Sequence, residues 1–89
     1  MELNLPPSPE LTFTTEETER QISALQDSVN LINKLLSGNN RNTETLDIMD
    51  RNVRHIYIMC EKKHIKEFGV DLTPYLDKAN AGLAWINGA

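Results

Sequence analysis

One cysteine, Cys60, four scattered glycines and no long hydrophobic run mark this sequence by what it lacks. A single thiol cannot close an internal disulfide, so no cross-link reinforces the chain, and a reducing compartment is the matching expectation. The longest apolar run, Ile56-Tyr57-Ile58-Met59-Cys60, falls far short of the roughly 18 residues a membrane helix needs. Near the start, Glu2 stands where a signal peptide needs a basic region, and no apolar stretch follows. The chain therefore reads as a whole gene product from Met1, cytoplasmic or part of a particle assembled inside a cell. Gly38, Gly69, Gly82 and Gly88 are isolated, so none belongs to a glycine-rich phosphate loop.

What is present is an acidic chain of 89 residues, 39 % apolar, with a formal net charge of −4. One domain fits that length, and such a chain buries only roughly 60 % of its unfolded surface. A core this thin commonly completes itself with a partner chain when disulfides and metals are missing.

Residues 1–13 read as an extended docking arm. Pro6, Pro7 and Pro9 favour polyproline II. Leu3 with Leu5, and Leu11 with Phe13, stand two apart, the period of an extended strand. Four such apolar side chains suit an arm that lies on another surface, through Leu3, Leu5, Pro6, Pro7, Leu11 and Phe13.

Residues 14–89 read as an all-α domain. Thr14 with Glu17 fits a capping box, and Glu16, Glu17 and Glu19 suit the positive end of a helix. Ile22, Leu25, Val29, Ile32 and Leu36 then trace one apolar stripe over a helix at about 14–37. Gly38 and the polar run Asn39-Asn40-Arg41-Asn42 make a turn. A second helix, about 43–68, starts at Asn42 or Thr43 and repeats the stripe with Leu46, Met49, Val53, Ile56 and Cys60. Gly69 stops it. Two matched stripes joined by a short polar loop predict an antiparallel helical hairpin. A third helix, about 74–87, is capped by Thr73, has Pro74 in its first turn, and presents Leu76, Ala79, Leu83 and Ile86.

The third helix is about half the length of the other two and cannot cover the whole hairpin. The turn from Ile56 to Cys60 is apolar all round, and a helix apolar on every side is buried on every side. The first helix accounts for Ile56 and Cys60, and the third for Ile58 or Ile65. Tyr57, Met59 and Ile48 are left in need of a cover, which points to self-association through the second helix. Trp85 either closes the open end of the hairpin with Tyr75 or anchors a partner, where tryptophan is over-represented.

Other chemistry fits these residues less well. Cys60 and His64 stand four apart and would share a helical face, with Glu61 or Glu67 nearby, but zinc wants four ligands, or three with water, and the other histidine, His55, stands about two and a half turns away along the same helix. Cys60 fits better as a small core residue, and no base and orienting group accompany it as a nucleophile. Neither a cofactor nor a metal is expected. Charge is uneven: through Asp50 there are three bases and nine acids, and from Arg51 onward six bases and four acids. Arg51, Arg54, Lys62, Lys63 and Lys66, with His55 and His64, make the second helix basic. Lys62, Lys63 and Lys66 would neutralise Glu16, Glu17 and Glu19 across the hairpin, which argues against nucleic-acid binding. The sequence thus predicts a non-enzymatic assembly or adaptor subunit, a homo-oligomer that docks by its arm on a larger protein assembly, virion-type particles included. A small regulator that binds and inhibits one cellular protein is the alternative, and a nucleic-acid-binding helical module the weaker one.

Overall fold

The computed structural model describes residues 14–88. The expected docking residues Leu3, Leu5, Pro6, Pro7, Leu11 and Phe13 lie outside the described residues. The described chain is all-α, as the periodicity predicts. Its helices are α1 (Thr15–Ser37), α2 (Thr43–Glu61), α3 (Lys63–Lys66) and α4 (Thr73–Ile86).

The capping box closes as expected. The Thr14 hydroxyl accepts from the Glu17 amide at 3.0 Å, and the Glu17 carboxylate accepts from the Thr14 amide at 2.9 Å. The Thr14 amide first, and second the Thr14 hydroxyl, which also donates to the carboxylate at 3.2 Å, hold the Glu17 carboxyl below its ordinary range. Of the two candidates for the start of α2, Asn42 is the cap, accepting from the Thr45 amide at 2.9 Å.

The hairpin core joins Leu25, Val29 and Ile32 of α1 to Met49, Val53, Ile56 and Cys60 of α2, with Ala79 of α4 completing it. Full burial of a Leu or Ile stabilises by about 1.5–3 kcal/mol, so this seam carries the fold. Ile22, Leu36 and Leu46, at the ends of the expected stripes, are half-buried.

The second helix is shorter than its sequence suggests. It ends at Glu61, Lys62 adopts an extended conformation with ψ 134°, and α3 supplies a single further turn. The reason is the register of Ile65. In an unbroken helix Ile65 would project about 180° away from Ile56, into solvent. The break at Lys62 turns the chain so that Ile65 becomes fully buried. Gly69 then reverses the chain with φ 94°, in the left-handed region that glycine occupies freely.

The start of α4 also differs. Thr73 is its first residue and not its cap; the Asp71 carboxylate accepts from the Thr73 amide at 3.0 Å, which lowers the Asp71 pKa. Its buried line runs through Ala79 and Gly82, with Leu76 and Ile86 half-buried, while Leu83 is 42 % exposed. The expected stripe placed Leu83 where Gly82 sits. A Cβ on Gly82 would stand 2.7 Å from Val53 Cγ2 and 2.9 Å from Met49 Sδ, so only glycine lets the α4 backbone settle against α2.

Candidate interaction surface

The hairpin has two flanks of different character. On one, α4 packs across α1 and α2. Tyr57 is half-buried there, and its hydroxyl donates to the Asn80 side chain of α4. Asn80 of α4 thus meets the Tyr57 hydroxyl and leaves the ring half-buried. Ile58, assigned to the third helix by sequence, is 58 % exposed instead. The neighbours one turn away from it, Arg54, Glu61 and Lys62, are exposed and charged, so Ile58 is an isolated apolar side chain.

On the other flank lies an open groove of about 400 Å³, lined by Glu17, Arg20, Gln21 and Ala24 of α1 and by His55 and Met59 of α2. No residue of α4 reaches it. Two interhelical hydrogen bonds pin this side. Ser28 Oγ and His55 Nδ1 are 2.8 Å apart, which gives the buried Ser28 hydroxyl a partner. His64 Nε2 donates to Gln21 Oε1 at 2.6 Å. Beyond the groove, helical spacing continues the same edge through Leu31 and Leu35 on α1 and through Asn52 and Ile48 on α2. Ala24, Leu35, Ile48 and Met59 are half-buried, and Leu31 is 36 % exposed. Ile48 and Met59 thus lie where the sequence reading left them uncovered. Ala24, Leu31 and Leu35 were missed; they form a second row beside the main stripe of α1, with the spacings of seven and four that such a row requires.

The other candidates fall elsewhere. Trp85 is half-buried at the loop end of the hairpin. The Arg41 guanidinium lies 4.5 Å from its ring centroid and donates to the Trp85 carbonyl at 2.5 Å. The loop end is opposite to the open one that the sequence assigns to Trp85 and Tyr75: α4 starts at Thr73, so Tyr75 sits in its first turn while Trp85, ten residues on, reaches the loop. Cys60 is a core residue. Burial first, and the Glu61 charge second, push its thiol up, away from the thiolate that attack or metal ligation requires. The break at Lys62 also takes His64 out of the helix that would have aligned it with Cys60. Among the described residues no three His, Cys, Asp or Glu side chains gather closely enough to hold a metal ion.

The expected neutralisation across the hairpin does not form. Lys63 pairs with Glu67 and Lys66 with Glu61, each at 3.9 Å, within the same stretch of chain. Arg51 and Arg54 pair one turn back, with Asp47 and Asp50, each at 3.0 Å. The bend at Lys62 brings these lysines near local acids, whose pairing orders less chain than a pair across helices would. No described helix is long and apolar enough to cross a membrane.

The chain matches no protein-family model, and comparisons with curated proteins and with solved structures found no similar chain.

Proposed function

We propose that this protein is a non-enzymatic assembly or adaptor subunit. It associates with itself through the side of the hairpin to which α2 contributes, and docks on a larger protein assembly by residues 1–13. One observation carries the reading: Ala24 and Leu31 of α1 and Ile48 and Met59 of α2, each only partly covered, share the flank that α4 leaves open, with Asn52 and His55 between the two α2 residues. Apolar side chains gathered on one face in this way mark interaction surfaces more often than scattered ones do.

Light scattering on the eluting full chain tests the first half. The expected mass is a multiple of the 10.1 kDa protomer. A single-protomer mass across the micromolar range would sink self-association. Deletion of Met1 to Pro9 tests the second half: helicity is expected to persist while capture on the larger assembly is lost.

A further inference from the structure

We infer that Asn87, which the assembly reading does not use, is a site of spontaneous deamidation, and that Arg41 sets its pace through the last turn of α4. The reaction runs within the chain and needs only water. The Gly88 amide nitrogen bonds to the side-chain carbonyl carbon of Asn87. The bond from that carbon to Nδ2 breaks, and ammonia leaves with the Gly88 amide proton. Water then opens the five-membered succinimide at either carbonyl, which leaves an aspartyl or isoaspartyl carboxylate at position 87. One neutral amide is thereby exchanged for one negative charge.

Asn87 is the only asparagine in the sequence that glycine follows. That neighbour matters because a side chain on the next residue crowds the nitrogen that must attack, and glycine has none. Nothing in the fold replaces the missing side chain: no atom lies within 4 Å of where a Cβ on Gly88 would stand. Both residues are exposed, so water reaches the ring and ammonia can leave.

The folded turn holds the reacting atoms apart. Ring closure requires the Gly88 nitrogen to eclipse Asn87 Cβ about the Cα–C bond. At ψ 3° it eclipses the Asn87 nitrogen instead, about a third of a turn away. The Gly88 amide donates to the Trp85 carbonyl at 3.1 Å, which fixes that rotation. The same carbonyl accepts from Arg41 at 2.5 Å, and the guanidinium covers the Trp85 ring. Arg41 lies in the loop between α1 and α2, so the last turn of α4 is tied from outside its own helix. Helix ends fray, and opening this turn both frees the Gly88 amide and permits the rotation. Arg41 therefore restrains the reaction without touching the reacting atoms. The product carboxylate stands two residues from the carbonyl that Arg41 holds, at the negative end of the α4 dipole. There it is disfavoured unless it draws the guanidinium to itself.

Incubation of the full chain at mildly alkaline pH, followed by peptide mass spectrometry, tests the site and its restraint. Alkali favours the reaction because the attacking nitrogen must give up its proton. A gain of about 1 Da, the exchange of an amide for an acid, is expected at Asn87 before any other asparagine. A synthetic peptide of residues 83–89 should react faster than the full chain. Arg41→Ala, with circular dichroism to verify folding, should raise the full-chain rate about two- to fivefold, the factor that loss of an exposed cation–π contact corresponds to. Asn87→Asp, a stable copy of one product, should shift the emission of Trp85, the only tryptophan, as the guanidinium leaves its ring. No gain at all, or a first gain at another asparagine, would overturn the site. A peptide no faster than the full chain would overturn the protection by the folded turn, and an unchanged rate in Arg41→Ala would overturn the part given to Arg41. Unchanged emission in Asn87→Asp would mean that the product does not recruit the guanidinium.

Discussion

The two flanks of the hairpin are held together in different ways. Where α4 packs, contact is made through the smallest residues, Ala79 and Gly82, and the backbone of α4 comes within a methyl group of Val53 and Met49. On the open flank the helices are tied by side-chain hydrogen bonds, Ser28 to His55 and Gln21 to His64, with larger apolar groups left at the edges. Close packing is intolerant of added volume, whereas a half-exposed edge tolerates substitution because solvent already fills the space. Close packing and half-exposed apolar groups therefore fall to opposite sides of the same two helices.

The largest expected effect tests the closed flank. Gly82→Leu should destabilise the protein by about 3 kcal/mol or more, since the new side chain must displace Val53 and Met49. Leu31→Ala on the open flank should stay within about 0.5 kcal/mol when measured at a protein concentration dilute enough to keep the protomer alone. Urea titration of both variants measures the contrast, and equal losses would dissolve it. Next in size, Ser28→Ala should cost about 1 kcal/mol by removing the partner of His55. A double-mutant cycle with His55→Ala should show coupling; additivity would mean that the bond does not hold the flank. Arg41→Ala touches neither flank and should cost about 0.5–1 kcal/mol while shifting Trp85 emission to the red. An unchanged spectrum would place the guanidinium elsewhere.

The smallest effect concerns pH. Glu17 has a lowered pKa in the folded state, so its contribution is fully present above the ordinary carboxylate value, about 4.3, and disappears as pH falls through the lowered value. Asp71, lowered by its bonds to Thr73, acts with the same sign. Thermal melts across this acidic window should therefore show stability falling with pH. The slope should be shallower in Thr14→Ala, which removes the hydroxyl that donates to the Glu17 carboxylate.

Much of the fold was legible because it follows from local chemistry. Thr14 and Glu17 announce the start of α1, and the stripes from Leu25 to Ile32 and from Met49 to Cys60 supply the hairpin seam. The break at Lys62 was not legible: Val53, Ile56 and Cys60 keep their helical spacing up to it, and only the burial of Ile65 reveals that the chain must turn. Gly82 was opaque for a related reason. A glycine inside a helix reads as a weakness until the neighbouring helix shows that a Cβ has no room. At the candidate surface, Ile48 and Met59 could be picked out as apolar positions beyond the seam. The companion row on α1 was hidden because Ala24 and Leu31 are ordinary helix formers whose exposure depends on where α4 lands.

The capping box has a practical consequence at the front of the molecule. Thr14 and Glu17 satisfy each other's backbone amides, so the start of α1 is written into four consecutive residues of the chain. Thr14 is thus a natural junction. A label or fusion placed ahead of it should leave this pair of hydrogen bonds, and the first turn they close, in place.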